Sequence, residues 1–204
     1  MSPTSPPGRA GRLPGTLPPP FPGLPPVLGI AAWSGAGKTT LLKQVLPLLR
    51  ARGLRVGLVK HAHHSFDVDV PGKDSWELRK AGATPVLVAS RHRWALMTET
   101  PEGEEPRLPE LLALLAPLGL DLVLVEGFKH EPFPKIELHR PELGQPLLHP
   151  GDPNVLALAL GGEPAADVSL PVLDPGRPED VADFILEYAQ AVARAARGSR
   201  DEEE

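Results

Sequence analysis

Lys38, Thr39 and the small residues before them carry the most readily named chemistry in this chain. The segment Ala32-Trp33-Ser34-Gly35-Ala36-Gly37-Lys38-Thr39-Thr40 follows five apolar or small residues, Val27 to Ala31, and precedes a leucine-rich helical pattern. A strand, a tight glycine loop and a helix N-terminus together form the layout of a phosphate-cradling loop. Small residues let the backbone curl close, so that Ser34, Gly35, Ala36, Gly37, Lys38, Thr39 and Thr40 can turn N–H groups toward a phosphate. Lys38 would reach the β- and γ-phosphates of a nucleotide, and Thr39 would set its hydroxyl on a magnesium ion. The usual pattern is G-x-x-x-x-G-K-[ST]; Ala32 takes the place of its first glycine, which alanine can do where φ is negative.

A second candidate is Glu126, delivered by the apolar run Leu122-Val123-Leu124-Val125 and followed by Gly127. An acid at a strand end beside a phosphate loop can support the magnesium ion directly or through water. The third is Lys60-His61-Ala62-His63-His64-Ser65-Phe66-Asp67-Val68-Asp69. Three histidines and two aspartates invite a zinc reading, but they crowd one short loop without a distant fourth ligand. The favoured reading is a switch-like segment beside the γ-phosphate. Lys60 would contact phosphate, and Asp67 or Asp69 would orient an attacking water or hold metal through water. His61, His63 and His64 are further candidates for partner or substrate contacts, as are Lys73, Arg93 and Lys129. Lys73 lies in Pro71-Gly72-Lys73-Asp74-Ser75, which reads equally as an anion-binding helix start or as a plain turn and cap. Arg91 and Arg93 precede a strand and could meet a phosphorylated molecule, although surface arginines are commoner.

These residues need elements to position them. Leu41, Leu42, Val45, Leu46 and Leu49 recur at helical spacing after the loop, with Pro47 expected to kink the helix or mark its last turn and Gly53 to close it. Arg55 to Lys60 reads as a short buried strand, and Asp74 as the cap of a helix ending near Gly82. Pro85 to Ser90 and Trp94 to Glu99 read as two strands without a long connecting helix, hence a hairpin or meander outside the parallel repeat. Leu108 to Leu118 is a helix, and Leu120 to Val125 a strand covered on both faces. Lys135 to His139, Val155 to Leu160 and Val168 to Leu173 are further strands, and Pro178 opens a final amphipathic helix. The alternation predicts an α/β fold of the P-loop NTPase type, with a largely parallel sheet flanked by helices.

The 204 residues suit one domain with tails. Residues 1–26 contain ten prolines and read as a disordered leader, 27–196 as the nucleotide-binding domain, and 197–204 as an acidic disordered tail. A net charge of −5 argues against a nucleic-acid-coating surface, and the lack of cysteine excludes disulfides and thiolate chemistry. No apolar run approaches the roughly 20 residues of a membrane span, and the N-terminus lacks a secretory apolar core. A soluble cytoplasmic protein is expected.

Several segments together resemble the molybdopterin-guanine dinucleotide biosynthesis adapter protein family (MobB). They are A-A-W-S-G-A-G-K-T-T, G-L-V-K-H-A-H-H with D-V-D-V-P-G-K-D-S, E-L-R-K-A-G-A, S-R-H-R-W-A-L-M-T-E-T-P, D-L-V-L-V-E-G-F-K-H and P-K-I-E-L, in order from about residue 28 to 138. The resemblance implies a GTP- and Mg2+-binding protein of the molybdenum cofactor pathway with weak GTPase activity at most. It also implies assistance to the molybdenum cofactor guanylyltransferase, contacts with molybdopterin enzymes, and a homodimer to which the strands at about 85–99 contribute. Guanine preference is implied by the resemblance alone, since Leu158-Ala159-Leu160-Gly161-Gly162-Glu163 supplies no aspartate for the base. The rival reading is a P-loop small-molecule kinase or ligase of the dethiobiotin-synthetase type. A third is a metal carrier using His61, His63 and His64.

Overall fold

The structure, a computed structural model, describes residues 13, 21, 23–62, 66–102, 104–162 and 168–201. The chain divides into two compact units, one built from residues 1–61 and 111–204 and the other from 62–110.

The larger unit is a six-stranded, wholly parallel sheet in the order β2-β5-β1-β6-β7-β8. Its strands are β1 (Val27–Ala31), β2 (Val56–Lys60), β5 (Leu122–Glu126), β6 (Lys135–His139), β7 (Val155–Leu160) and β8 (Val172–Leu173). β1 and β5 are buried along their whole length, as continuous apolar runs in a sheet covered on both faces should be. α1 (Lys38–Ala51) and α4 (Pro178–Asp201) bury Leu41, Leu42, Val45 and Leu49, and Val181, Phe184, Ile185, Tyr188 and Val192, in one cluster with Leu28, Ile30, Leu122, Leu124 and Ile136. The buried Tyr188 hydroxyl donates to Val27 O at 2.7 Å, which satisfies the polar end of a side chain that the helix brings into the core.

Several boundaries differ from the sequence reading. α1 continues through Pro47 to Ala51, so the proline neither ends the helix nor marks its last turn. Its missing N–H removes the bond to the Lys43 carbonyl. β2 lies at the sheet edge rather than inside it: only Val59 is buried, and Leu58 is 44% exposed. A strand of the same composition can be central or marginal, because strand order is a tertiary property. The segment read as Val168 to Leu173 is strand only at its last two residues. α4 runs to Asp201, past residue 196 where the sequence reading ended the folded part. Of the leader, only residues 13, 21 and 23–26 are described.

The smaller unit holds α2 (Asp74–Lys80), β3 (Val86–Ala89) and β4 (Trp94–Met97), with α3 (Leu108–Leu115) beginning in it and ending in the larger unit. Lys73, not Asp74, is the N-cap of α2, and Asp74 is its first residue. β3 and β4 form an antiparallel hairpin separate from the main sheet, with Val86 opposite Met97 and Ala89 opposite Trp94.

Candidate functional site

The site forms where β1, β2 and β5 end at the same edge. Parallel pairing sets Val125 beside Gly29 and Glu126 beside both Ile30 and Lys60, so the ends of three strands meet near the loop after β1. Gly35 (φ +80) and Gly37 (φ +94) turn that loop through left-handed backbone, which L side chains adopt only with strain, and Gly37 is the N-cap of α1.

Lys38 folds back over the loop, where its Nζ donates to Ala32 O at 3.1 Å and Trp33 O at 3.4 Å. Burial lowers its pKa; Glu126 acts in the opposite direction, while Lys129 and Lys60 add to the lowering. A cation held in this way gains from a nearby anion. Thr39 Oγ1 lies 3.3 Å from Glu126 Oε1, to which it donates, and the same carboxylate oxygen pairs with Lys60 Nζ at 3.1 Å. Neighbouring ligands of an octahedral magnesium ion are about 3 Å apart. The Thr39 and Glu126 oxygens therefore fit one such ion, and in this structure the Lys60 ammonium supplies the positive charge against Glu126.

Gly127 makes the junction possible. Its φ is +105, and a Cβ there would lie 2.6 Å from His61 Cβ. Its absence lets His61 N donate to Glu126 O at 2.8 Å and the His61 ring stack on Phe128 with centroids 4.6 Å apart. Lys129 Nζ lies 4.4 Å from the centroid of the Trp33 ring, a cation–π contact that holds a further positive charge beside the loop.

The other expected residues fall differently. Asp67, Asp69, Lys73 and Arg93 belong to the smaller unit. Asp67 and Asp69 face Arg79, at 2.6 and 3.8 Å, and Ser75 Oγ donates to Asp69 at 2.8 Å. The Asp69 backbone N–H, ahead of the Arg79 guanidinium, holds the Asp67 carboxyl below its ordinary pKa. Lys73 and Arg93 are exposed. His63 and His64 lie outside the described residues, among which no group of three or more His, Asp or Glu is placed to hold a metal. Sequence reasoning missed Arg140, whose Nε donates to Ala36 O at 2.9 Å, and the pinning of the Trp33 indole to Pro146 O at 2.8 Å. The only signal for Arg140 was its position just after a strand, and strand order decides which loop that strand serves.

A family profile described as "Molybdopterin guanine dinucleotide synthesis protein B" (MobB) matches residues 27–161. The chain belongs to this family. Across 166 residues it is 54% identical to the molybdopterin-guanine dinucleotide biosynthesis adapter protein of Escherichia coli (strain K12), covering 81% of this chain and 94% of that one. The adapter protein of the same description from Haemophilus influenzae is 49% identical over 161 residues, 78% of this chain and 87% of the other. The crystal structure of a MobB homologue from Bacillus stearothermophilus matches with a TM-score of 0.61 and 27% identity, over 80% of this chain and 97% of that one. The P-loop NTPase-like fold expected from the sequence is thus the fold of MobB. Ala32 and Trp33 belong to a segment that the family profile spans.

Proposed function

We propose that this protein is a GTP-binding adapter that assists the guanylyltransferase of molybdopterin guanine dinucleotide biosynthesis. The adapter role in that pathway follows from family membership and from near-full-length likeness to adapter proteins. Nucleotide binding rests on one observation above all: Lys38, Thr39, Lys60 and Glu126 converge on a loop whose glycines turn it toward the N-terminus of α1. Lys38, Lys60 and Lys129 with a single carboxylate suit a polyanion carrying its own magnesium ion, the metal resting on Thr39 and Glu126. The Ser34–Thr40 backbone would hold the phosphates.

Turnover is proposed to be weak at most. Asp67 and Asp69 are the candidates for orienting water, but both face Arg79, so a hydrolytic role requires that contact to loosen. His61, His63, His64, Lys73 and Arg93 are proposed as contacts to the guanylyltransferase or to molybdopterin enzymes. The hairpin leaves Leu87 62% and Trp94 58% exposed, and these are proposed as the pairing surface of a homodimer. A cytoplasmic location fits the pathway; among the described residues no helix is long and apolar enough to cross a membrane.

Calorimetric titration with Mg·GTP, Mg·ATP and Mg·GDP, with and without the guanylyltransferase, tests the reading. Lys38→Ala is expected to abolish binding while leaving the fold intact; undiminished GTP affinity in that variant refutes the site. Trp94→Asp is expected to shift the sedimentation coefficient from dimer to monomer, and an unchanged coefficient refutes the hairpin interface.

A further inference from the structure

The backbone carbonyls of a tight loop that no sheet or helix ladder pairs need donors of their own. Here Lys38 serves the carbonyls of Ala32 and Trp33, the latter also accepting from Ala36 N at 3.3 Å, and Arg140 serves the carbonyl of Ala36, one residue before the αL turn at Gly37. Arg140 follows β6 directly, and β6 pairs with β1, the strand that carries the loop. Its guanidinium lies along Gly37: a Cβ there would be 3.6 Å from Nη2 and 3.7 Å from Nε.

The chain beyond Arg140 returns to the loop. Pro146 O accepts from the Trp33 indole at 2.8 Å. Two residues later the segment is pinned by Glu137, which is 1% exposed and accepts from Leu148 N at 2.7 Å and His149 N at 2.9 Å. His149 Nδ1 adds a contact to the same carboxylate at 3.2 Å. Residues 140–149 therefore form a strap, anchored to β6 at both ends, that grips the loop at Trp33 and Ala36.

We propose that Arg140 is a positioning residue of the nucleotide site: it holds the Ala36 carbonyl outward and so keeps the loop N–H groups arranged for phosphate before any ligand arrives. This rests on the reading of the loop as a nucleotide site. The remaining guanidinium donors of Arg140 have no partner among the described residues, and its charge lies beside the N-cap of α1, where it adds to the pull on an anion.

Calorimetry and amide relaxation on the full chain test the inference together. Arg140→Ala is expected to weaken Mg·GTP and Mg·GDP about tenfold to a hundredfold, as loss of a charge-assisted hydrogen bond would. In the ligand-free variant the 15N order parameters of Ala36 and Gly37 should fall from about 0.85 toward 0.6, while those of β1 and β6 stay put. Arg140→Lys keeps a cation able to donate to the Ala36 carbonyl, and is expected to return affinity to within about threefold and restore loop order. Affinity within twofold of the unaltered protein in Arg140→Ala overturns the inference, as does lost affinity with the loop as ordered as before. An unaltered protein that binds no Mg·GTP overturns the nucleotide reading instead, and the order parameters then decide the strap alone.

Discussion

Gly127→Ala is the sharpest test of how the site is assembled. The residue has φ +105, and the added methyl would sit 2.6 Å from His61 Cβ, 3.4 Å from its Cα and 3.5 Å from its N. Left-handed backbone costs an L residue about 1–2 kcal/mol. The clash costs about 1–3 kcal/mol more, because the obstruction is the root of a neighbouring residue and not the free end of a side chain. Relief requires parting β2 from β5 at the His61 N–Glu126 O bond, the position that sets the Glu126 carboxylate beside Thr39. Gly53→Ala is the matched control: its φ is +86, and nothing lies within 4 Å of the added methyl. Gly53→Ala should therefore show only the backbone cost of about 1–2 kcal/mol, and Gly127→Ala about 2–5 kcal/mol. Urea denaturation of the two variants, with unchanged m-values, measures the difference. If Gly127→Ala loses no more stability than Gly53→Ala, the close approach of β2 to the Glu126–Gly127 turn is not a constraint. The account of how Glu126 is aimed then fails.

Two further outcomes concern the frame that carries the site. Tyr188→Phe removes the bond to Val27 O and leaves that carbonyl without its side-chain donor; a loss of about 1–2 kcal/mol in denaturant unfolding is expected, with Mg·GTP affinity unchanged. Asp152→Asn weakens the tie on Lys135, which is 1% exposed and shares its ammonium between Asp152 at 2.9 Å and Glu131 O at 2.6 Å; about 1–3 kcal/mol should be lost at neutral pH. Burial pushes the Asp152 carboxyl upward, but its bonds from Lys135 and Asn154 outweigh that and leave its pKa lowered. Its contribution is therefore full above the ordinary aspartate value of about 3.9 and disappears as pH falls through the lower, folded value. The gap between the two proteins should close on acidification below about pH 4, and a gap independent of pH would refute the pairing.

The β3–β4 hairpin and the single carboxylate at the end of β5 were legible because each is local. Alternating and continuous apolar runs report strands, and a G-K-T after a strand reports a helix start that holds anions. The edge position of β2 was not legible, since Val56–Lys60 reads the same whether one neighbour or two will pair with it. The pairing of Arg79 with Asp67 and Glu99 was equally invisible, because it joins residues 12 and 20 positions apart across different elements. The sequence alone determined which groups are proposed to hold a phosphate and its metal, and that a parallel α/β sheet would carry them, because residue type and short-range period specify both. Only the tertiary structure decided that Glu126 meets Thr39 and Lys60, and that Arg140 serves the same loop. Those contacts join residues 66 to 104 positions apart, and they follow from the order in which strands pair across a sheet, which no local pattern encodes.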